Sequence, residues 1–132
     1  MAAEFPVTEA AAQRSRQQGL AVIMGGPNLI RGGSYSGNIG AAQLANLGLL
    51  DAIASDYVPR SMLESPFVLA SERFGWPLHK AFATVTATPA QIAGFADRGS
   101  VAIGKRADLI RVRRMERHPV VMSAWVSGRR VA

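Results

Sequence analysis

Two short runs rich in apolar residues constrain this chain most: Leu20-Ala21-Val22-Ile23-Met24 and Leu49-Leu50-Asp51-Ala52-Ile53-Ala54-Ser55. Neither follows strict apolar–polar alternation, so each reads as a strand covered on both faces, as in a parallel sheet. The second run leads straight into Asp56. An acid at the C-terminal end of a parallel strand stands where α/β barrels carry their chemistry.

Helix signals lie around these strands. Thr8 can cap a first helix, led in by Pro6 and Val7, built on Ala10, Ala11 and Ala12, and closed by Gly19. A glycine-rich loop is expected from Gly25 to Gly37. Asn38 can then cap a helix running through Ala41, Leu44, Ala45 and Leu47 to Gly48. The order helix, strand, loop, helix, strand is the βαβ grammar of a parallel sheet. Ser61-Met62-Leu63-Glu64 has the form of a capping box that opens another helix. Gly75 breaks that helix, Pro77 restarts one carrying Leu78, Ala81, Phe82 and Val85, and Pro89 and Gly94 bracket a short helical turn.

Near residue 97 the character changes. Asp97-Arg98-Gly99 and Gly104-Lys105 are turn signals, and a strand is expected over residues 107–112. Residues 120–126 and 129–131 flank Ser127-Gly128, which reads as a tight hairpin. Two parts follow from this, residues 1–96 of α/β character and residues 97–132 of β character.

With 132 residues the chain can bury a real core, but a complete (β/α)8 barrel takes roughly 200 residues or more. Apolar residues make up 48% and charged residues 18%, a globular balance. The absence of cysteine excludes disulfides and thiolate metal sites. Met1-Ala2-Ala3-Glu4-Phe5 lacks the basic start and apolar core of a signal peptide, and no apolar run approaches the ~20 residues that span a bilayer. A cytoplasmic protein without membrane contact is expected. The net charge of +6 rests on thirteen arginines against two lysines. Arg111, Arg113, Arg114, Arg117, Arg129 and Arg130 cluster late and read as a solvated hairpin face. A nucleic-acid surface would interleave aromatics with the charges; only Trp125 is near, so no nucleic-acid partner is expected.

Several motifs occur together in order: Glu4-Phe5-Pro6, Met24-Gly25-Gly26-Pro27-Asn28, Arg31-Gly32-Gly33-Ser34, Ser36-Gly37-Asn38, Ser55-Asp56-Tyr57-Val58-Pro59, Thr88-Pro89-Ala90, Asp97-Arg98-Gly99 and Gly104-Lys105-Arg106-Ala107-Asp108-Leu109. In these the chain closely resembles the C-terminal third of the phosphonate-metabolism (PhnM) family of the amidohydrolase superfamily, whose activity is α-D-ribose 1-methylphosphonate 5-triphosphate diphosphatase. The Gly-Lys-x-Ala-Asp-Leu stretch and the closing Trp-x-x-Gly-Arg are similar to amidohydrolases in general. The Gly-Pro-Asn, Arg-Gly-Gly-Ser, Ser-Gly-Asn and Ser-Asp-Tyr stretches resemble the phosphonate enzymes in particular.

The resemblance implies an α/β fold: the last two strand–helix units of a (β/α)8 metal-dependent-hydrolase barrel, further helices, and a small β-hairpin element of a companion sandwich. Residues 20–24 and 49–55 would be the seventh and eighth strands. Asp56 would bind the catalytic divalent metal, zinc or similar, and accept a proton from the attacking water, since a divalent ion acidifies its water and a neighbouring base removes the proton. Taken alone, Asp56 reads more readily as a helix cap or a surface acid; strand, tripeptide and family together reverse that order.

The loop from Gly25 to Asn38 has its own physical case. Its glycines let backbone N–H groups approach an anion, and Arg31 adds a two-pronged donor. An ordinary long connection explains the glycines equally well. With the resemblance, Gly25, Asn28, Arg31, Ser34 and Asn38 become the candidate contacts to a phosphorylated small-molecule substrate. Tyr57 and Arg60 are secondary candidates that could simply pack beside the metal pocket.

Tyr35 stands where the family pattern reads histidine, and a tyrosine replaces histidine neither as metal ligand nor as base near neutral pH. His79 and His118 match no family ligand position. The family's His-x-His pair, carboxylated lysine and mid-barrel histidines would lie upstream of Met1. The chain alone is therefore expected to bind no metal and to have no hydrolase activity. Two parallel strands without barrel neighbours leave edges and apolar faces open, so a homo-oligomer is expected. Two other readings stay open: a non-catalytic structural or assembly domain, and a basic phosphate-binding module.

Overall fold

The computed structural model of the protein describes residues 1–33, 37–116 and 118–132. Three parallel strands form the first sheet in sequential order: β1 (Ala2–Glu4), β2 (Ala21–Gly25) and β3 (Ala52–Ala54). Ala2 lies opposite Ala21, and Ile23 opposite Ala52. Both apolar runs are thus strands, as expected, although the second is shorter than the predicted 49–55. The strand β1 was not anticipated, because a three-residue strand carries no readable period.

Helix α1 (Glu9–Gln17) connects β1 to β2 and starts as predicted, with the Thr8 hydroxyl accepting the Ala11 N–H at 3.1 Å. Between β2 and β3 come α2 (Gly26–Arg31) and α3 (Ala41–Asn46). Here the predicted glycine-rich loop is corrected: Gly26 to Arg31 is helical, started by Pro27 in its first turn and closed by Gly32 at φ 84°. Proline suits a first helical turn because its missing N–H would go unpaired there. The cap of α3 is also corrected. The helix starts at Ala41 after Gly40, not after Asn38. Gln43 Oε1 accepts the Gly40 N–H at 2.9 Å, and Asn28 Oδ1 accepts the Ala41 N–H at 2.7 Å.

Helix α4 (Ser61–Leu69) follows β3, then α5 (Leu78–Ala83) and α6 (Ala87–Ile92). The predicted capping box at Ser61 does not form. Arg60 is the N-cap residue, and Ser61 is already the first helical residue, fully buried against α2. The outer edge of β3 is covered where Ile53 N donates to Thr84 O at 3.0 Å. Val22, Met24, Leu29, Leu44, Ile53 and Leu69 make one core between the sheet and its helices.

The second sheet is antiparallel: β4 (Leu109–Arg114), β5 (Pro119–Val126) and β6 (Arg129–Arg130), with a register shift between Arg111 and Val112. The β4 strand begins two residues later than predicted. The expected hairpin at Ser127-Gly128 is present, with both residues at positive φ (51° and 78°), the combination that suits a two-residue β-turn. The Ala-Asp of the Gly-Lys-Arg-Ala-Asp-Leu stretch fastens this turn: Asp108 Oδ1 accepts the Ser127 N–H at 2.8 Å, and Ala107 O accepts the Gly128 N–H at 2.9 Å. The Arg114 guanidinium lies 5.7 Å from the Phe67 ring centre and so touches α4. Among the described residues, no helix is long and apolar enough to cross a membrane.

Candidate active site

The C-terminal ends of the three parallel strands bring Phe5, Gly25 and Asp56 together. Phe5 prolongs the ladder, its N–H donating to Ile23 O at 3.0 Å, and takes φ 52°. Asp56, two residues past β3, takes φ 51°. Non-glycine residues in the left-handed region carry strain and tend to gather at functional sites.

The Asp56 side chain leans back across the end of β2. A Cβ placed on Gly25 would lie 2.9 Å from Asp56 Oδ2, 3.3 Å from Asp56 Cβ and 3.2 Å from Phe5 Cε1. Carboxylate and aromatic ring thus meet over a buried glycine whose own φ of −73° needs no special freedom. Gly25 is required here for close approach.

The turn that carries Asp56 is fastened at the carbonyl of Ser55, which accepts the Val58 N–H at 3.1 Å and the Ser61 hydroxyl at 3.2 Å. Ser61 can reach it because α4 lies against Gly26. A Cβ on Gly26 would collide with Ser61, 2.7 Å from its Cβ, and would stand 3.0 Å from Ser65 Oγ. Ser65 Oγ is buried and has no hydrogen-bond partner among the described residues.

The candidate substrate residues fall into different places. Arg31, at the end of α2, donates to the Tyr57 hydroxyl at 2.8 Å and sits 5.6 Å from the centre of its ring, so the guanidinium is held beside the Asp56 turn. Asn28 uses its carbonyl oxygen to cap α3. Asn38 is exposed. Ser34 and Tyr35 lie outside the described residues. Arg60 is an exposed partner of Glu64 at 3.5 Å, and His79 and His118 are exposed. Sequence reasoning gave no site role to Phe5, Gly26 or Ser61; the adjacent Gly25-Gly26 pair was the readable signal, taken there as part of a loop whose backbone N–H groups approach an anion.

Among the described residues, no group of three or more His, Cys, Asp or Glu side chains could hold a metal ion. A divalent centre ordinarily uses three or four protein ligands, so Asp56 can be one donor but does not make a complete centre with its neighbours here. A cavity of about 350 Å³ opens at the other end of the sheet, between Arg16, Asp51 and Gln91, away from Asp56.

Residues 34–131 match the amidohydrolase family. The chain belongs to that family. It is 48% identical, over 98% of its length, to α-D-ribose 1-methylphosphonate 5-triphosphate diphosphatase of Escherichia coli (strain K12). It is 33% identical over 95 residues, 59% of its length, to a dihydroorotase of Methanopyrus kandleri. The chain spans 34% of the first relative and 22% of the second. No solved structure matches it.

Proposed function

We propose that this chain forms the C-terminal part of a metal-dependent hydrolase of phosphonate metabolism, one that releases diphosphate from a ribose 1-phosphonate 5-triphosphate. The 48% identity to the E. coli diphosphatase supports the substrate class. The observation that carries the reading is the Asp56 carboxylate, aimed over the C-terminal ends of three parallel strands. On this reading β2 and β3 are the seventh and eighth strands of a (β/α)8 barrel, residues 1–96 belong to the barrel, and residues 97–132 to a companion sandwich.

Asp56 accepts the proton of the water that attacks phosphorus, and the diphosphate leaves with the electrons of the broken P–O bond. A divalent metal, when bound, acidifies that water; Asp56 would be one of its ligands, the others coming from outside residues 1–132. Arg31, which donates to the Tyr57 hydroxyl, is the guanidinium proposed to contact a substrate phosphate. Gly25 and Asn38 are further proposed contacts, as is Ser34, which lies outside the described residues, and the amide nitrogen of Asn28 remains able to donate after its oxygen has capped α3. The protein acts in the cytoplasm, and its partners are a phosphorylated small molecule and further copies of itself. Ile110 and Val126, on one face of the second sheet, are both more than a third exposed and offer an apolar surface for that contact.

A second reading, a structural domain with no reaction of its own, is favoured by the lack of a metal-holding cluster among the described residues. A chimera separates the two: residues 1–132 replace the matching third of the E. coli diphosphatase. Diphosphate release by a folded chimera supports the hydrolase reading; a folded but inert chimera supports the structural one.

A further inference from the structure

The functional reading gives Asp56 a role but does not say what aims its side chain. Residues in the left-handed region persist where the surroundings over-determine them. Asp56 leaves β3 through the Ser55–Asp56 peptide, and the orientation of that peptide decides which way the carboxylate points. Two donors hold its carbonyl oxygen. The Val58 N–H belongs to the turn itself, whereas the Ser61 hydroxyl comes from the first residue of α4. Ser61 is fully buried, so its hydroxyl proton has no water to turn to. Its place depends on Gly26, since any side chain there would displace it.

The geometry points to Ser61 as a positioning residue: through the Ser55 carbonyl it fixes the turn that directs the Asp56 carboxylate over Gly25, and Gly26 is the gap that admits it. This rests on the reading of Asp56 as the working carboxylate. The paired glycines then have separate duties. Gly25 makes room for the carboxylate, and Gly26 makes room for the hydroxyl that aims it. Neither duty is the backbone freedom for which glycine is usually chosen in a loop.

The test is nuclear magnetic resonance on the 132-residue chain. The wild type is expected to show a nuclear Overhauser contact between the Gly25 Hα that occupies the Cβ direction and the Asp56 Hβ protons. Ser61→Ala should lose this contact while the amides of β1 and β2 keep their shifts. A contact of undiminished intensity in Ser61→Ala overturns the inference. The pair Gly26→Ala/Ser61→Gly separates aiming from mere packing, because it relieves the collision without restoring the hydroxyl. Stability should recover relative to Gly26→Ala while the Gly25–Asp56 contact stays absent; recovery of both overturns the inference. A measurement on the wild type needs no variant to fold: the Ser61 hydroxyl proton should be resolved and slow to exchange, and a rapidly exchanging hydroxyl counts against it. The activity of Asp56→Asn in the chimera tests the role of Asp56 separately. If the contact depends on Ser61 but Asp56→Asn is fully active, the positioning stands and the functional reading fails.

Discussion

Gly26→Ala is the substitution whose effect can be worked most directly from the structure. The added methyl would stand 2.7 Å from Ser61 Cβ and 3.0 Å from Ser65 Oγ, in a fully buried contact between α2 and α4. The obstructing Cβ is anchored to helix backbone, so relief requires α2 and α4 to move apart. Overpacking of this kind costs about 1–3 kcal/mol. For 132 residues the unfolding entropy is about 0.28 kcal/mol per kelvin, which converts that cost into a melting temperature lower by about 4–11 °C. Gly33→Ala is the matched control. Among the described residues nothing lies within 4 Å of its Cβ position, and its φ is outside the left-handed region, so it should stay within about 0.5 kcal/mol of wild type, or gain slightly. Urea unfolding followed by circular dichroism should show a lower midpoint for Gly26→Ala with an unchanged slope. A Gly26→Ala protein as stable as the Gly33→Ala control would refute the close approach of α4 to α2.

Other consequences can be checked more briefly. Asn28→Ala removes the oxygen that receives the Ala41 N–H and should cost about 1 kcal/mol, with faster hydrogen exchange at Ala41; unchanged exchange there would contradict the cap. The hydrogen bond from the Ser127 N–H, helped by the charges of Arg106 and Arg98, holds the Asp108 carboxyl below the usual aspartate range. With its pKa depressed in the folded state, the stabilisation is present above the unfolded-state pKa and is lost as pH falls through the folded value. The Ser127 amide shift should therefore titrate with a midpoint below the usual aspartate value; a midpoint at or above it would contradict the bond. The purified chain should contain substoichiometric divalent metal and release no diphosphate, and stoichiometric metal with turnover would show that a complete site assembles between copies.

What could be read from the sequence were the features whose causes are local. Thr8 caps α1 through an N–H three residues away, Ser127-Gly128 provides the backbone freedom its hairpin needs, and the apolar runs become β2 and β3. What could not be read depends on contacts between distant segments. Asn28 caps a helix that begins 13 residues later, so Asn38, the local candidate, was the wrong choice. Glycines at positions 25 and 26 looked like loop residues, yet one ends a strand and the other begins a helix, because each faces a side chain from residues 56–65. Ser61 matched a capping pattern, but its hydroxyl instead bonds the carbonyl of Ser55. At the candidate site, Asp56 was legible as an acid at a strand end; the lean of its carboxylate across β2 was not.

The most direct test of the central claim, that Asp56 is the working carboxylate, is diphosphate release by the E. coli chimera carrying residues 1–132, with and without Asp56→Asn. Asn keeps the shape of the side chain and removes its basicity, so melting temperature should hold while turnover falls about 10²–10⁴-fold, the usual contribution of a positioned general base. Turnover within about threefold of the unsubstituted chimera, far short of that contribution, would contradict the account and leave Asp56 as a structural residue at the end of a strand.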